Sequence, residues 1–444
     1  MEQHSDPYLT PAGETHGAPR VFGFWTCVAL VVGNMIGSGF YLLPATLAPF
    51  GWNAVFGWLI TIAGALCLAA VFGSLARAIP RAGGPYAYSR AAFGPFVGFM
   101  IAWSYYLSLP IGNAAIAIGA IAPLSTLLRP VADHPAFATG VLVWLLTAVN
   151  CIDARIAGRV QIVTALVKFI PLVAVLLLAI YVLSGPVALP TLRTEDLHLG
   201  GNTGIIAAGT ITLWAFLGLE SATVPAEKVV DAGRTIFRAT IIGTAATGLA
   251  YLFASSAVTL LLPADALVHS GAPLADFVRP YWGSSAAVLI ALAAFISSFG
   301  ALNGWILLQG EMPWAMAKDG LFPAWLKPAS RRGTPVRAHI ASSVLLTILL
   351  AINYTKGLSE LFKFLILLAT LASVLPYLVC ALAALVLNHR EGLAGQWIVP
   401  VAILGSIYSA WAIWGSGVES MAWGFVLLLS GIPIYAAMRM RGGA

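Results

Sequence analysis

Apolar stretches recur along the whole chain at roughly one per 35 residues, each long enough to cross a hydrocarbon core of about 30 Å. Short polar connections separate them. The pattern predicts twelve membrane-spanning helices, over 21–48, 52–76, 95–127, 136–154, 158–184, 204–230, 237–262, 283–317, 337–354, 358–388, 395–415 and 418–438. The third and eighth are too long for an upright crossing, so tilt or extension beyond the bilayer is expected. Between spans two and three, RAIPRAGGPYAYSRAAFG (77–94) mixes turn residues with Tyr86, Tyr88 and Phe93, which predicts a short interfacial segment packed under the bundle.

Two spans break their own pattern. The first carries Gly33, Asn34, Gly37, Ser38 and Gly39 in its middle. Glycine is a poor helix former and bares the backbone, at a depth where no water is available to repair the ladder. Irregular backbone at that depth must face protein or a polar cavity; a glycine face for tight helix packing is the alternative. The sixth span repeats the anomaly with Gly218 and Glu220 about sixteen residues in, followed by Pro225. If five spans form one unit and the next five another, the odd number starts the second unit on the opposite membrane face. That gives an inverted repeat over 21–184 and 204–388. Paired interrupted helices in corresponding positions point to a transporter substrate site at the repeat interface. The ends of half-helices then attract a substrate carboxylate.

Composition narrows the class further. The 444 residues are 60% hydrophobic and 9% charged, which excludes a soluble domain. The net charge of +6 does not indicate nucleic-acid binding. With the N-terminus inside, 17 of the 23 lysines and arginines fall on the cytoplasmic side and four outside, with Lys168 and Lys363 within spans. This bias predicts cytoplasmic termini. Residues 1–20 are polar, lack the form of a cleaved signal and are read as a disordered tail. The four cysteines lie within spans without CxxC spacing, so no disulfide or zinc site is expected.

Ionisable groups at mid-depth are functional candidates by default. Glu220 is a candidate to bind and release a proton; a structural bond to the helix break is the alternative. Lys168, about ten residues into span five, is roughly 15 Å deep by helix rise. It must pair, face the cavity or give up its proton. A fixed cation there could stand where some transporters hold sodium between helices one, five and eight, or simply tether those helices. Trp214 and Trp305 are candidate cavity walls able to stack on a cationic or planar group, with Tyr105, Ser108, Asn113, Ser297, Ser298 and Asn303 supplying polar groups in spans three and eight. There is no Walker loop, no HExxH motif, no histidine deep in a span and no catalytic triad, so neither an enzyme nor a cofactor is expected. A channel would ask for a continuous polar stripe.

The motifs GNMIGSGFYLLPA (33–45), PRAGGPYAYSRAAFGP (80–95), RVQ (159–161), LWAFLGLESA (213–222), NGW (303–305) and AKDGLFP (317–323) together resemble the amino acid-polyamine-organocation superfamily. Within it, the chain is similar to the basic amino acid/polyamine antiporters typified by bacterial arginine/agmatine exchange. The resemblance implies an all-α LeuT-type fold, with spans 1–5 and 6–10 inverted, 395–438 peripheral, a bacterial inner-membrane location and a homodimer. It implies a substrate-binding set of Asn34, Ile36, Gly37, Ser38, Gly39, Tyr105, Ser108, Asn113, Trp214, Leu217 and Trp305. Of these, Ser38 and Gly39 would contact the carboxylate, Trp305 would stack on the substrate, Tyr105 would belong to a gate, and Asn113 would lie near the far end of the side chain. Glu220 would be the proton-sensitive acid, and Lys168, by its depth, is the second candidate for proton coupling. The chain departs from the arginine/agmatine pattern at Leu109, Pro110 and Leu367, which reduce polar contacts to a guanidinium, and at Lys168, where those antiporters have a small residue. A fifth-span lysine resembles sodium-independent, proton-coupled permeases. The expected function is sodium-independent exchange of a basic amino acid for its decarboxylated amine; the alternative is a proton-coupled permease of broader or neutral range.

Overall fold

The computed structural model describes residues 20–186, 189–201, 203–353 and 358–442, so the tail expected over 1–20 lies outside the described residues up to Arg20. Among the described residues, ten helices are long and apolar enough to cross a membrane. Two shorter apolar helices, Ile205–Phe216 and Val336–Ala351, occupy the sixth and ninth expected spans.

Span one is divided into α1 (Phe24–Met35) and α2 (Ser38–Leu47). There follow α3 (Trp52–Ala78), α4 (Pro85–Leu127), the short α5 (Arg129–Asp133), α6 (Pro135–Ile152) and α7 (Ala154–Leu183). Span six keeps only α8 (Ile205–Leu213) and a 3-10 turn over Trp214–Phe216. The rest are α9 (Ala232–Leu261), α10 (Ala264–Val268), α11 (Pro273–Lys318), α12 (Val336–Asn353), α13 (Leu358–Glu391), α14 (Ile398–Gly415), α15 (Val418–Leu429) and α16 (Gly431–Gly442).

Both overlong helices turn out to be kinked. In α4 the backbone leaves the helix at Gly94 (φ 85°, ψ −179°), and in α11 at Gly283 (φ 79°, ψ 180°). Almost only glycine adopts that conformation. Each kink sets a short leading piece, 85–93 or 273–282, at an angle to a main segment roughly 50 Å long by helix rise. Tyr86 and Tyr88 on the first leading piece are buried, as an interfacial segment requires, whereas Phe93 is exposed.

The helices pack mainly in two sets. One contains α1, α3, α8 and α9; the other contains α4, α6, α7, α11, α12 and α13. Helices α14, α15 and α16 lie at the periphery against α3, α4 and α13. Where small residues meet, the helices approach closely: a Cβ on Gly57 of α3 would sit 2.7 Å from the Ala208 Cβ of α8. Inside the first set, the chain leading into α1 pairs with the stretch after α8. Val21 and Phe22 donate N–H bonds to the Lys228 carbonyl at 2.8 and 2.9 Å, and Val230 N–H returns one to Phe22 at 2.9 Å.

Candidate functional site

The end of a helix leaves its last carbonyls without partners in the helix, and inside a bilayer something else must bond them. At the end of α1 the four carbonyls of residues 33–36 each meet a side chain from another helix. Lys168 of α7 bonds the Gly33 oxygen. The Trp305 indole N–H of α11 donates to Asn34 at 3.0 Å, the Tyr251 hydroxyl of α9 to Met35 at 2.6 Å, and the Ser297 hydroxyl of α11 to Ile36 at 3.4 Å. The backbone then runs extended through Gly37 (φ −141°, ψ −162°) and restarts as α2 at Ser38.

Span six opens further than two half-helices would. After Phe216 the chain continues as turns to the 3-10 segment Ala226–Lys228. Gly218, at φ +106°, starts that course, and local bonds maintain it: Ser221 N–H to Gly218 O at 3.0 Å and Thr223 N–H to Glu220 O at 2.7 Å. The Glu220 side chain folds back over the opening. Its Oε2 accepts from Gly218 N–H at 3.2 Å and from the Tyr377 hydroxyl, while Oε1 accepts from the Tyr105 hydroxyl at 2.6 Å. Glu220 therefore joins the sixth-span break to α4 and α13. The two breaks are also joined directly, because Asn34 Nδ2 donates to Ser221 Oγ at 2.8 Å; Gln161 Nε2 reaches Asn34 Oδ1 at 3.3 Å from α7.

Between the breaks lies a narrow cavity. Asn34, Met35, Gly37, Trp214, Ala215 and Leu217 face it from the breaks, and Ser108, Gly112, Ile116, Trp305, Ala369 and Ser373 from the opposite wall. No charged side chain lines it among the described residues. Nor do those residues contain a group of His, Cys, Asp or Glu able to hold a metal.

Of the expected substrate-binding set, Asn34, Gly37, Ser108, Trp214, Leu217 and Trp305 meet at this cavity. Tyr105 and Glu220 stand behind its wall, bonded to each other. Ile36 is buried in the first break. Asn113 is turned to Gln309 of α11, to which its Nδ2 donates at 2.7 Å, and does not line the cavity. Ser38 and Gly39 open α2, but their side chains lie outside the described residues. Tyr377, Ser373 and Ala369 were not foreseen. They recur four residues apart on one face of α13, a spacing that would have found them. His339, in the first turn of α12 and so at the end of its span, is fully buried against α11, with Nδ1 3.1 Å from the Ile306 carbonyl.

A model of the amino acid permease family matches residues 22–436. The cadaverine/lysine antiporter of Escherichia coli (strain K12) is 32% identical over 427 residues, covering 94% of this chain and 95% of that protein. A putative arginine/ornithine antiporter of Bacillus subtilis is 32% identical over 431 residues, covering 89% and 91%. The putrescine transporter PotE of Haemophilus influenzae is 29% identical over 411 residues, covering 91% and 94%.

Proposed function

The chain belongs to the amino acid permease family, a family of transporters rather than enzymes, and from that premise we propose that it exchanges a basic amino acid for its decarboxylated amine by alternating access, without sodium. One observation carries this reading. Gly37, just before the start of α2, lines the cavity together with two indoles and two serines; a helix N-terminus favours a carboxylate and an indole face a desolvated ammonium group. The relatives' substrates support the same class, since lysine, arginine and ornithine carry both groups, whereas cadaverine and putrescine carry only amines.

The Lys168 amine at the Gly33 carbonyl supports sodium independence, because a side chain already ties α1 to α7 where a sodium ion would otherwise do so. We place both termini in the cytoplasm on the bias of lysines and arginines, and the chain in an inner membrane, where its exposed tryptophans and leucines face lipid or a second copy of the chain. We read residues 21–184 and 204–388 as inverted repeats. The paired breaks and the matching glycine kinks at Gly94 and Gly283 support that division.

Counterflow in proteoliposomes tests the exchange. Labelled lysine or arginine should enter vesicles preloaded with an amino acid or diamine at least tenfold faster than empty ones. Uptake into empty vesicles driven by a pH gradient alone would favour the proton-coupled permease instead. Within the same assay, Trp305→Leu should weaken cationic substrates roughly tenfold, the effect of losing a desolvated cation–π contact of about 1–2 kcal/mol. Small neutral amino acids should lose less. An equal loss for both would reduce Trp305 to its bond with the Asn34 carbonyl.

A further inference from the structure

On the side of the cavity read above as cytoplasmic, away from the residues assigned to substrate, a charged pair is buried. Lys228 and Glu311 are 2% and 1% exposed and joined by an ion pair. Lys228 ends the 3-10 turn that follows the sixth-span break, and Glu311 lies on α11, so the pair bridges the two helix sets. The Lys228 ammonium is 5.6 Å from the centre of the Trp314 ring. Lys318 lies 4.7 Å from that ring and bonds Glu227 at 2.8 Å, which places a second pair across the same seam in a partly exposed position.

Taking two charges out of water costs several kcal/mol per ion, so a buried pair adds little net stability compared with packed apolar side chains. This pair is also incompletely satisfied, since Glu311 Oε2 makes no hydrogen bond among the described residues. It is a poor device for stability and a good one for a reversible contact. Separation into water returns the hydration of both ions, while closure returns their attraction. The backbone gives the contact reach. The Lys228 carbonyl holds the N–H groups of Val21 and Phe22, so the inner ends of both broken spans are tied to the residue that carries the charge.

We propose that Lys228 and Glu311 form a latch that holds the inner side of the cavity shut and opens once in each transport cycle. The proposal rests on the alternating-access reading above and adds to it the contact that must break.

The test measures apparent KM for L-lysine and L-arginine at each face of oriented proteoliposomes. Glu311→Gln leaves Lys228 buried without its counter-charge and penalises the closed inner side. Apparent affinity should then rise at the inner face and fall at the outer, moving the ratio of the two roughly tenfold or more. The exchanged pair, Lys228→Glu with Glu311→Lys, should return the ratio toward wild type. A folded, monodisperse Glu311→Gln protein with the wild-type ratio would overturn the latch. Wild-type protein supplies a check free of folding effects: during exchange, a water-soluble carbodiimide and glycine ester should label Glu311 faster than in substrate-free vesicles. A Glu311 that stays unlabelled in actively exchanging vesicles also overturns it. If the wild type shows no counterflow, the exchange reading fails, whereas an unchanged ratio in an active background sinks the latch alone.

Discussion

Gly218→Ala is expected to lower transport at least a hundredfold while the protein still reaches the membrane. Gly218 holds φ at +106°, and an L side chain in such a region costs on the order of 1–3 kcal/mol before any contact is counted. The contacts are also unfavourable. An added Cβ would lie 2.9 Å from the Asn34 Cβ, 3.2 Å from the Asn34 carbonyl carbon and 3.2 Å from the Trp305 ring. Two of these belong to the cavity wall and one is backbone of the other break, so relief at Gly218 distorts the site itself. The strain would also pull the Gly218 N–H from Glu220 Oε2 and the Tyr377 hydroxyl. Substrate binding to purified protein checks this. Wild-type affinity in a Gly218→Ala variant would show that the break tolerates a side chain and that the geometry described here is not what binds.

Lys168→Ala should cost about ten- to a hundredfold in exchange rate. The substitution strips the Gly33 carbonyl of its donor in a buried site, and an orphaned group of that kind costs about 1–3 kcal/mol. If Lys168 acts as a tether, the residual activity keeps the wild-type pH profile. Glu220→Gln should do the opposite. Three donors converge on the Glu220 carboxylate. Protonation turns one acceptor oxygen into a donor, so the tyrosine hydroxyl facing it must reverse and accept instead, which replaces charge-assisted bonds by weaker neutral ones and loosens the tie between the sixth-span break, α4 and α13. Exchange should therefore rise as pH falls, and the glutamine, which carries a donor and an acceptor permanently, should run at the acid-side rate with a flat profile. An unchanged profile in both variants would remove the proton roles. Replacing sodium by potassium at fixed pH should leave wild-type exchange unaltered; stimulation by sodium would remove the assignment of Lys168 to the cation position.

The architecture was legible because lipid leaves a chain few options. Run length counted the spans, and the glycines with Glu220 located both breaks. What stayed hidden was how the breaks are satisfied. Tyr251 and Ser297 are unremarkable residues in apolar helices, and only packing brings their hydroxyls to the Met35 and Ile36 carbonyls. Asn113 is placed near the far end of the substrate by the resemblance alone, and no spacing in the sequence reveals that its amide bonds Gln309 on α11. The sixth span was expected to resume as a helix, but Gly218, the back-bonded Glu220 and Thr223, and Pro225 together keep the chain in turns. Nothing in the local sequence of Lys228 or Glu311 reveals that they bury each other.

The capping of α1 by distant side chains also sets a schedule for biosynthesis. Gly33 and Lys168 stand 135 positions apart, so at roughly 5–20 residues per second the ribosome needs about 7–27 s to supply the ammonium group after the carbonyl has been made. Trp305, Tyr251 and Ser297 come later still. Through that interval the first segment sits in or beside the insertion machinery with bare carbonyls at mid-depth, sheltered only by water or by the machinery itself. Nascent chains arrested before Lys168 should accordingly leave residues 33–39 open to protease, and chains arrested after the eighth span should protect them. A ribosome stalled in the first third of the message yields a fragment that cannot seal its own opening helix.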